Sequence, residues 1–116
     1  MEVSTKSRIE DQLRSRVEDG AELLDQQFPD WEVVVRIRDL AMHNPCNCIL
    51  GQLYGDYLAA NTMAEELDVD LRNLETSYGF DHDPDLPEPE HRQYEILQSA
   101  WAEQIRERRQ TKSVVA

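Results

Sequence analysis

Leu40-Ala41-Met42-His43-Asn44-Pro45-Cys46-Asn47-Cys48-Ile49-Leu50-Gly51-Gln52-Leu53-Tyr54-Gly55-Asp56-Tyr57 is the segment on which the fold turns. It holds both cysteines, one of three histidines, two of four glycines and two of four tyrosines. Asn44 suits a helix cap, and Pro45 suits the first helical position, where its missing N–H costs nothing. The spacing predicts a central helix over Pro45 to Ala60, with Leu50, Leu53, Tyr54, Tyr57 and Leu58 on one apolar stripe. Gly51 and Gly55 lie four residues apart and would share a face. Two glycines inside a helix cost roughly 2 kcal/mol, so that face is expected either to pack closely on a neighbouring helix or to offer a partner a docking groove.

Upstream, Ile9, Leu13, Val17, Ala21, Leu24 and Phe28 recur at helical spacing and predict a first helix over Arg8 to Gln27. Gly20 weakens it by about 1 kcal/mol relative to Ala or admits a close neighbour. Pro29 ends it. Trp31 to Met42 alternates like a strand, but no second β-rich run exists to pair with it. A short helix or extended connector that plugs the core with Trp31, Val35, Ile37 and Leu40 is expected.

Downstream, Asn61 to Tyr78 predicts one or two helices burying Met63, Leu67, Val69, Leu71 and Leu74, with Gly79 as the stop. Residues 81–90 read as an acidic, proline-rich linker. Glu90 to Arg109 predicts a last helix with Tyr94, Leu97, Trp101 and Ile105 inward. Arg106, Arg108 and Arg109 sit at its C-terminal end, where the macrodipole favours cations. The expected architecture is all-α: a small single-domain bundle of about four helices at 9–109, with an irregular connector after helix 1. Residues 1–8 and 110–116 are expected to be flexible.

Composition narrows function. The chain has 116 residues, 40% of them hydrophobic, which allows one modest core. Twelve basic and 24 acidic side chains give a net charge of −12. Such a chain repels nucleic acid and anionic membranes and attracts basic partners. Most of the excess is local: residues 61–90 carry ten acids against Arg72 alone. A disulfide across Cys-x-Cys is strained, so reduced thiols in a cytoplasm are the simpler expectation. No signal peptide or membrane-length apolar run is present. Oligomeric state is left open.

Several motifs fall short of a chemistry. His43, Cys46 and Cys48 could begin a zinc site, but Cys-x-Cys is tighter than the usual ligand pairs and no second knuckle exists. Cys46 in a first helical turn would have a lowered pKa, yet nothing marks a complete catalytic set. Asp81-x-Asp83-x-Asp85 starts like a calcium loop, but Leu86 and Arg92 stand where Gly and Glu are needed. Met63 to Leu74 has the apolar spacing of a helix-turn-helix, with Ala64, Leu67, Val69 and Leu74 in place. Its second helix offers only Arg72 and Asn73 among acids. No catalytic residue and no cofactor is expected.

Trp31, Cys46, Cys48, Leu50-Gly51-Gln52-Leu53-Tyr54-Gly55-Asp56-Tyr57 and Tyr78-Gly79-Phe80 together resemble a group of small acidic proteins of actinobacteria and their phages. The resemblance covers roughly residues 9 to 106. It implies phage or prophage origin and carries no activity with it.

The function expected is therefore a small acidic interaction module, not an enzyme, that binds a host or phage protein through a basic surface. Glu65, Glu66, Asp68, Asp70, Asp81, Asp83 and Asp85 are the expected partner-binding residues. One specific form is a DNA mimic that occupies a nucleic-acid-binding surface. The alternatives are a metal- or thiol-dependent protein using Cys46 and Cys48, and a helix-turn-helix-like DNA-binding regulator.

Overall fold

The computed structural model describes residues 5–44, 46–55 and 58–115, with side chains described over 8–111 of these. All the regular structure among them is helical. The order is α1 (Thr5–Gln27), α2 (Trp31–Val34), a 3-10 turn (Ile37–Asp39), α3 (Ile49–Tyr54), α4 (Ala59–Leu67), α5 (Leu71–Ser77) and α6 (Glu90–Val115). The two long helices, α1 and α6, pack together and form the spine. The short helices fold against them. Both long helices run into the ends expected to be flexible: α1 begins at Thr5, and α6 continues to Val115.

The α1 stripe is the inner face it was expected to be. Ile9, Leu13, Val17, Ala21 and Leu24 are buried, and Phe28 packs half-buried beside them. Gly20 belongs to the same face. A Cβ there would sit 2.1 Å from the Tyr78 carbonyl oxygen and 3.0 Å from the Trp101 ring, so its role is close approach. Gly79 combines two reasons for glycine. Its φ is +69°, and an added Cβ would lie 2.7 Å from Val17 Cγ2.

The aromatic centre joins both ends of the chain. Trp31 meets Trp101 edge-on at 5.7 Å, and Phe80 stacks on Trp101 at 5.4 Å. Each indole N–H is satisfied, Trp101 by the Gly79 carbonyl at 2.7 Å and Trp31 by Asp25 Oδ1 at 2.8 Å. Arg108 pairs with Asp25 in two hydrogen bonds and lies over the Trp31 ring. Its neighbour Arg109 donates to the carbonyls of Glu32 and Val35. Arg108 and Arg109, which lie within α6 and not at its end as expected, thus dock the connector. In that connector α2 turns Val35 inward and leaves Val33 and Val34 64% and 56% exposed.

The single central helix does not form. Gly55 adopts φ +77° and caps α3, its N–H donating to the Gly51 carbonyl. Among the described residues the next helix begins at Ala59. Nothing lies within 4 Å of a Cβ built on Gly55, so glycine is needed there for backbone conformation and not for packing. Gly51 is buried inside α3, and the two glycines share no helical face. The start also differs. Asn44 closes a turn, accepting at Oδ1 from the N–H groups of Cys46 and Asn47. The α3 cap is Cys48, whose sulfur accepts from Gly51 N–H at 3.4 Å. Pro45, Asp56 and Tyr57 lie outside the described residues.

Two glutamines on α6 fasten the irregular segments. Gln98 donates to the Leu40 carbonyl and accepts from Met42 N–H at 3.0 Å. Gln93, buried, accepts from Asp83 N–H at 2.8 Å and donates to the carbonyls of Asp83 and Glu88. Residues 81–89 thus form a loop tied to α6, with its residues half-buried or exposed.

Candidate functional site

The strongest candidate is the hairpin of α4 and α5. It is built by a helix stop that uses an acid in place of glycine. Asp68 adopts φ +54°. Its N–H donates to the Glu65 carbonyl and the Val69 N–H to the Ala64 carbonyl, which is the paired pattern of a Schellman ending. Asp70 then caps α5, accepting from Asn73 N–H at 3.1 Å. This turn rotates Val69 outward, where it is 37% exposed, so the expectation that it is buried is corrected. Met63 and Leu74 are buried as expected, and Leu67 and Leu71 are half-buried.

The hairpin gathers Glu65, Glu66, Asp68 and Asp70 on exposed positions. Among the described residues none of the four has an ion-pair partner, whereas Asp25, Asp83, Asp85, Glu95 and Glu103 each have an arginine. Glu66 accepts a hydrogen bond from Tyr54 OH at 3.1 Å. Burial and that carboxylate push the Tyr54 phenol up to about 12. Beside the acids runs a shallow groove of about 650 Å³, with Leu58, Val69 and Leu71 on its apolar side and Glu65 and Asp68 on its polar side. Such a surface combines a steering charge with an apolar footing.

Asp81, Asp83 and Asp85 are not part of this face. Asp83 pairs with Arg16 at 2.9 Å and accepts from Asp85 N–H. Burial works against its charge, but those donors outweigh it and hold the carboxyl below its ordinary range. Asp85 pairs with Arg72 at 3.3 Å. Asp81 turns inward to Tyr94 and His82. Of the seven expected binding residues, Glu65, Glu66, Asp68, Asp70 and Asp85 are exposed, whereas Asp81 and Asp83 are half-buried in the loop.

Where the sequence has helix-turn-helix spacing, α4 and α5 do meet at a tight turn between Leu67 and Leu71. The cationic surface of a DNA reader is missing from its second helix. Arg72 is committed to Asp85, and Asn73 Oδ1 accepts from Ser77 Oγ at 2.6 Å. Cys46 is exposed and Cys48 half-buried; burial raises the Cys48 thiol pKa. His43 lies edge-on to Tyr94 at 6.3 Å. Among the described residues no group of three or more His, Cys, Asp or Glu is placed to hold a metal ion, and no helix is long and apolar enough to cross a membrane.

Sequence reasoning missed a polar cluster where α5, the 81–90 loop and α6 meet. Asp81 Oδ1 accepts from Tyr94 OH at 2.7 Å and from His82 N–H at 2.8 Å, and it lies 3.2 Å from His82 Nδ1. Glu75 lines the same small cavity as Asp81, and burial with the neighbouring Asp81 carboxylate pushes its carboxyl up to about 7. These residues come from separate elements with no common spacing, so no motif announces them. The one signal available was Gln93, a polar residue four positions before Leu97 on the apolar stripe.

No protein-family model matches the chain, and no curated protein or solved structure is detectably similar to it. What the fold defines is a small all-α domain with a helical hairpin of uncompensated negative charge.

Proposed function

We propose that the chain is a non-enzymatic interaction module whose α4–α5 hairpin engages a basic surface on a host or phage protein. The observation that carries this is the clustering of Glu65, Glu66, Asp68 and Asp70 on exposed positions of one hairpin, with no ion-pair partner for any of the four among the described residues. The adjoining Leu58, Val69 and Leu71 add apolar footing. The occupant that suits both is a basic amphipathic segment, whose apolar side enters the groove and whose cations meet the acids. The resemblance to small proteins of actinobacteria and their phages supports a phage setting. A reducing cytoplasm suits Cys48, whose sulfur serves as a helix cap. A specific form of this reading is occupation of a surface that otherwise binds nucleic acid.

The test uses a helical Lys/Leu peptide as probe. Its titration into isotope-labelled protein should shift amides of residues 58–71 first. Binding should weaken with salt, because the steering field is screened within about 8 Å at physiological ionic strength. Combined Glu65→Gln, Glu66→Gln, Asp68→Asn and Asp70→Asn substitutions keep the α5 cap and remove the charge. They should slow association more than they speed dissociation. Equal binding by the variant, or peptide shifts elsewhere, would overturn the reading. Duplex DNA competing for a captured partner would identify the nucleic-acid-mimicking form.

A further inference from the structure

We infer that the hairpin also accepts a second copy of this chain, in a two-fold pair in which the α2 connector of each copy covers the α4–α5 hairpin of the other. The inference rests on the reading of the hairpin as a face for apolar, cationic segments, because the chain carries one such segment itself. Four large apolar side chains stand exposed among the described residues, and they fall into two pairs. Val33 and Val34 lie on α2, and Leu58 and Val69 border the hairpin groove. Each pair has charge of one sign beside it. Arg36 and Arg38 follow the valines, exposed and without ion-pair partners among the described residues. Asp39 is the only exposed acid between Trp31 and Met42. Beside Leu58 and Val69 stand the outward acids of the hairpin.

The placement of the two patches suits a mutual contact. Helix α3 packs on both α2 and α4. Gln52 holds the cationic patch, accepting from Arg36 N–H at 2.8 Å and donating to the Arg36 carbonyl at 3.2 Å. Tyr54 holds the acidic one, donating to Glu66 at 3.1 Å. Residues two apart project about 200° apart around a helix, so the patches flank α3 on opposite sides. Between them Leu53 and Tyr54 are only half-buried. A cationic flank, an apolar middle and an acidic flank thus follow one another across α3. A half-turn about an axis through that middle sets cations against acids twice and closes the contact, which is the self-complementary arrangement of a two-fold dimer.

The whole-molecule charge opposes this and the local charge favours it. Two chains of net charge −12 repel, but that field is screened over about 8 Å at physiological ionic strength, whereas the patches meet in contact. The consequence is competition. The hairpin of a paired copy is covered, and a basic partner has to displace the second copy to reach it.

Sedimentation velocity of the full chain at physiological salt, over a concentration series, tests the pair. It should show a reversible monomer–dimer equilibrium. Arg36→Glu with Arg38→Glu should weaken the dimer by about tenfold or more, because like charges then face each other. Glu65→Lys with Asp68→Lys should do the same, and all four substitutions in one chain should restore the dimer. That rescue separates a lost contact from a lost fold. A chain that stays monomeric throughout the series, open assemblies in place of dimers, or a fourfold variant no better than either double variant would overturn the inference. The Lys/Leu peptide distinguishes it from the reading on which it rests. A monomeric chain that binds the peptide at the hairpin loses only the dimer. A chain that dimerises with rescue but ignores the peptide keeps the dimer and loses the foreign partner.

Discussion

Gln93 grips Asp83 by both of its backbone groups, accepting from the N–H at 2.8 Å and donating to the carbonyl at 2.9 Å. The same amide nitrogen also donates to the Glu88 carbonyl. One buried side chain on α6 therefore satisfies most of the turn that carries Asp81, Asp83 and Asp85. Gln93→Ala should cost about 2–3 kcal/mol, because it leaves several buried groups without partners. Urea unfolding measures the loss, and amide exchange over residues 81–90 should rise before that of α1. A loss confined to a few tenths of a kcal/mol would mean water replaces the amide without penalty.

In an exposed helix Gly20→Ala would be worth about 1 kcal/mol in the protein's favour. Here it should destabilise by about 1–3 kcal/mol, the range for overpacking. The new methyl meets the Tyr78 carbonyl, which belongs to rigid backbone, and the Trp101 ring, which has no room to turn. A thermal melt decides the sign, and an increase in Tm would show that α1 and α6 can separate slightly at no cost.

Asp68→Gly separates the fold of the hairpin from its charge. The left-handed conformation is easier for glycine, so the variant should gain about 0.5–1 kcal/mol. Binding to a basic peptide should nevertheless slow, since one of four outward carboxylates is gone. Gly55→Ala should move the other way, by about 1 kcal/mol, through φ alone. Chemical denaturation of the two variants in parallel measures both.

The cap on α3 rests on a sulfur, a weak acceptor. Cys48→Ser places a better acceptor at the same position and should leave stability equal or slightly higher. Cys48→Ala should cost about 0.5–1 kcal/mol. Cys46→Ser should change nothing measurable, as that side chain is exposed. A chelator that unfolds the wild-type protein would contradict this assignment and move attention to metal binding.

Long, repeated patterns were legible in the sequence, and conformational exceptions were not. The stripe from Ile9 to Leu24 and the inward Leu97, Trp101 and Ile105 are buried because many turns vote for one face. The dual possibility at Gly20 resolved into close approach. The central helix misled because the stripe of Leu50, Leu53 and Tyr54 continues in register past Gly55, and periodicity does not register a positive φ. At Val69 the same blindness applied, since a left-handed Asp68 precedes it. Of the candidate site, the local excess of acid was visible in composition. Which acids face outward was not, because it depends on Arg16 and Tyr94 arriving from distant helices. The resemblance to actinobacterial and phage proteins remains a proposal about origin.

The edge-on indoles of Trp31 and Trp101 give the molecule an internal optical gauge. Two chromophores so close couple their transitions, and the coupling depends on their mutual angle. One indole belongs to the connector after α1 and the other to α6, so the near-ultraviolet dichroism of the native protein reports whether those two elements are seated together. Binding at the hairpin can then be followed without a label. A partner that leaves the band unchanged has left that seating intact, and one that alters it has moved the connector against α6.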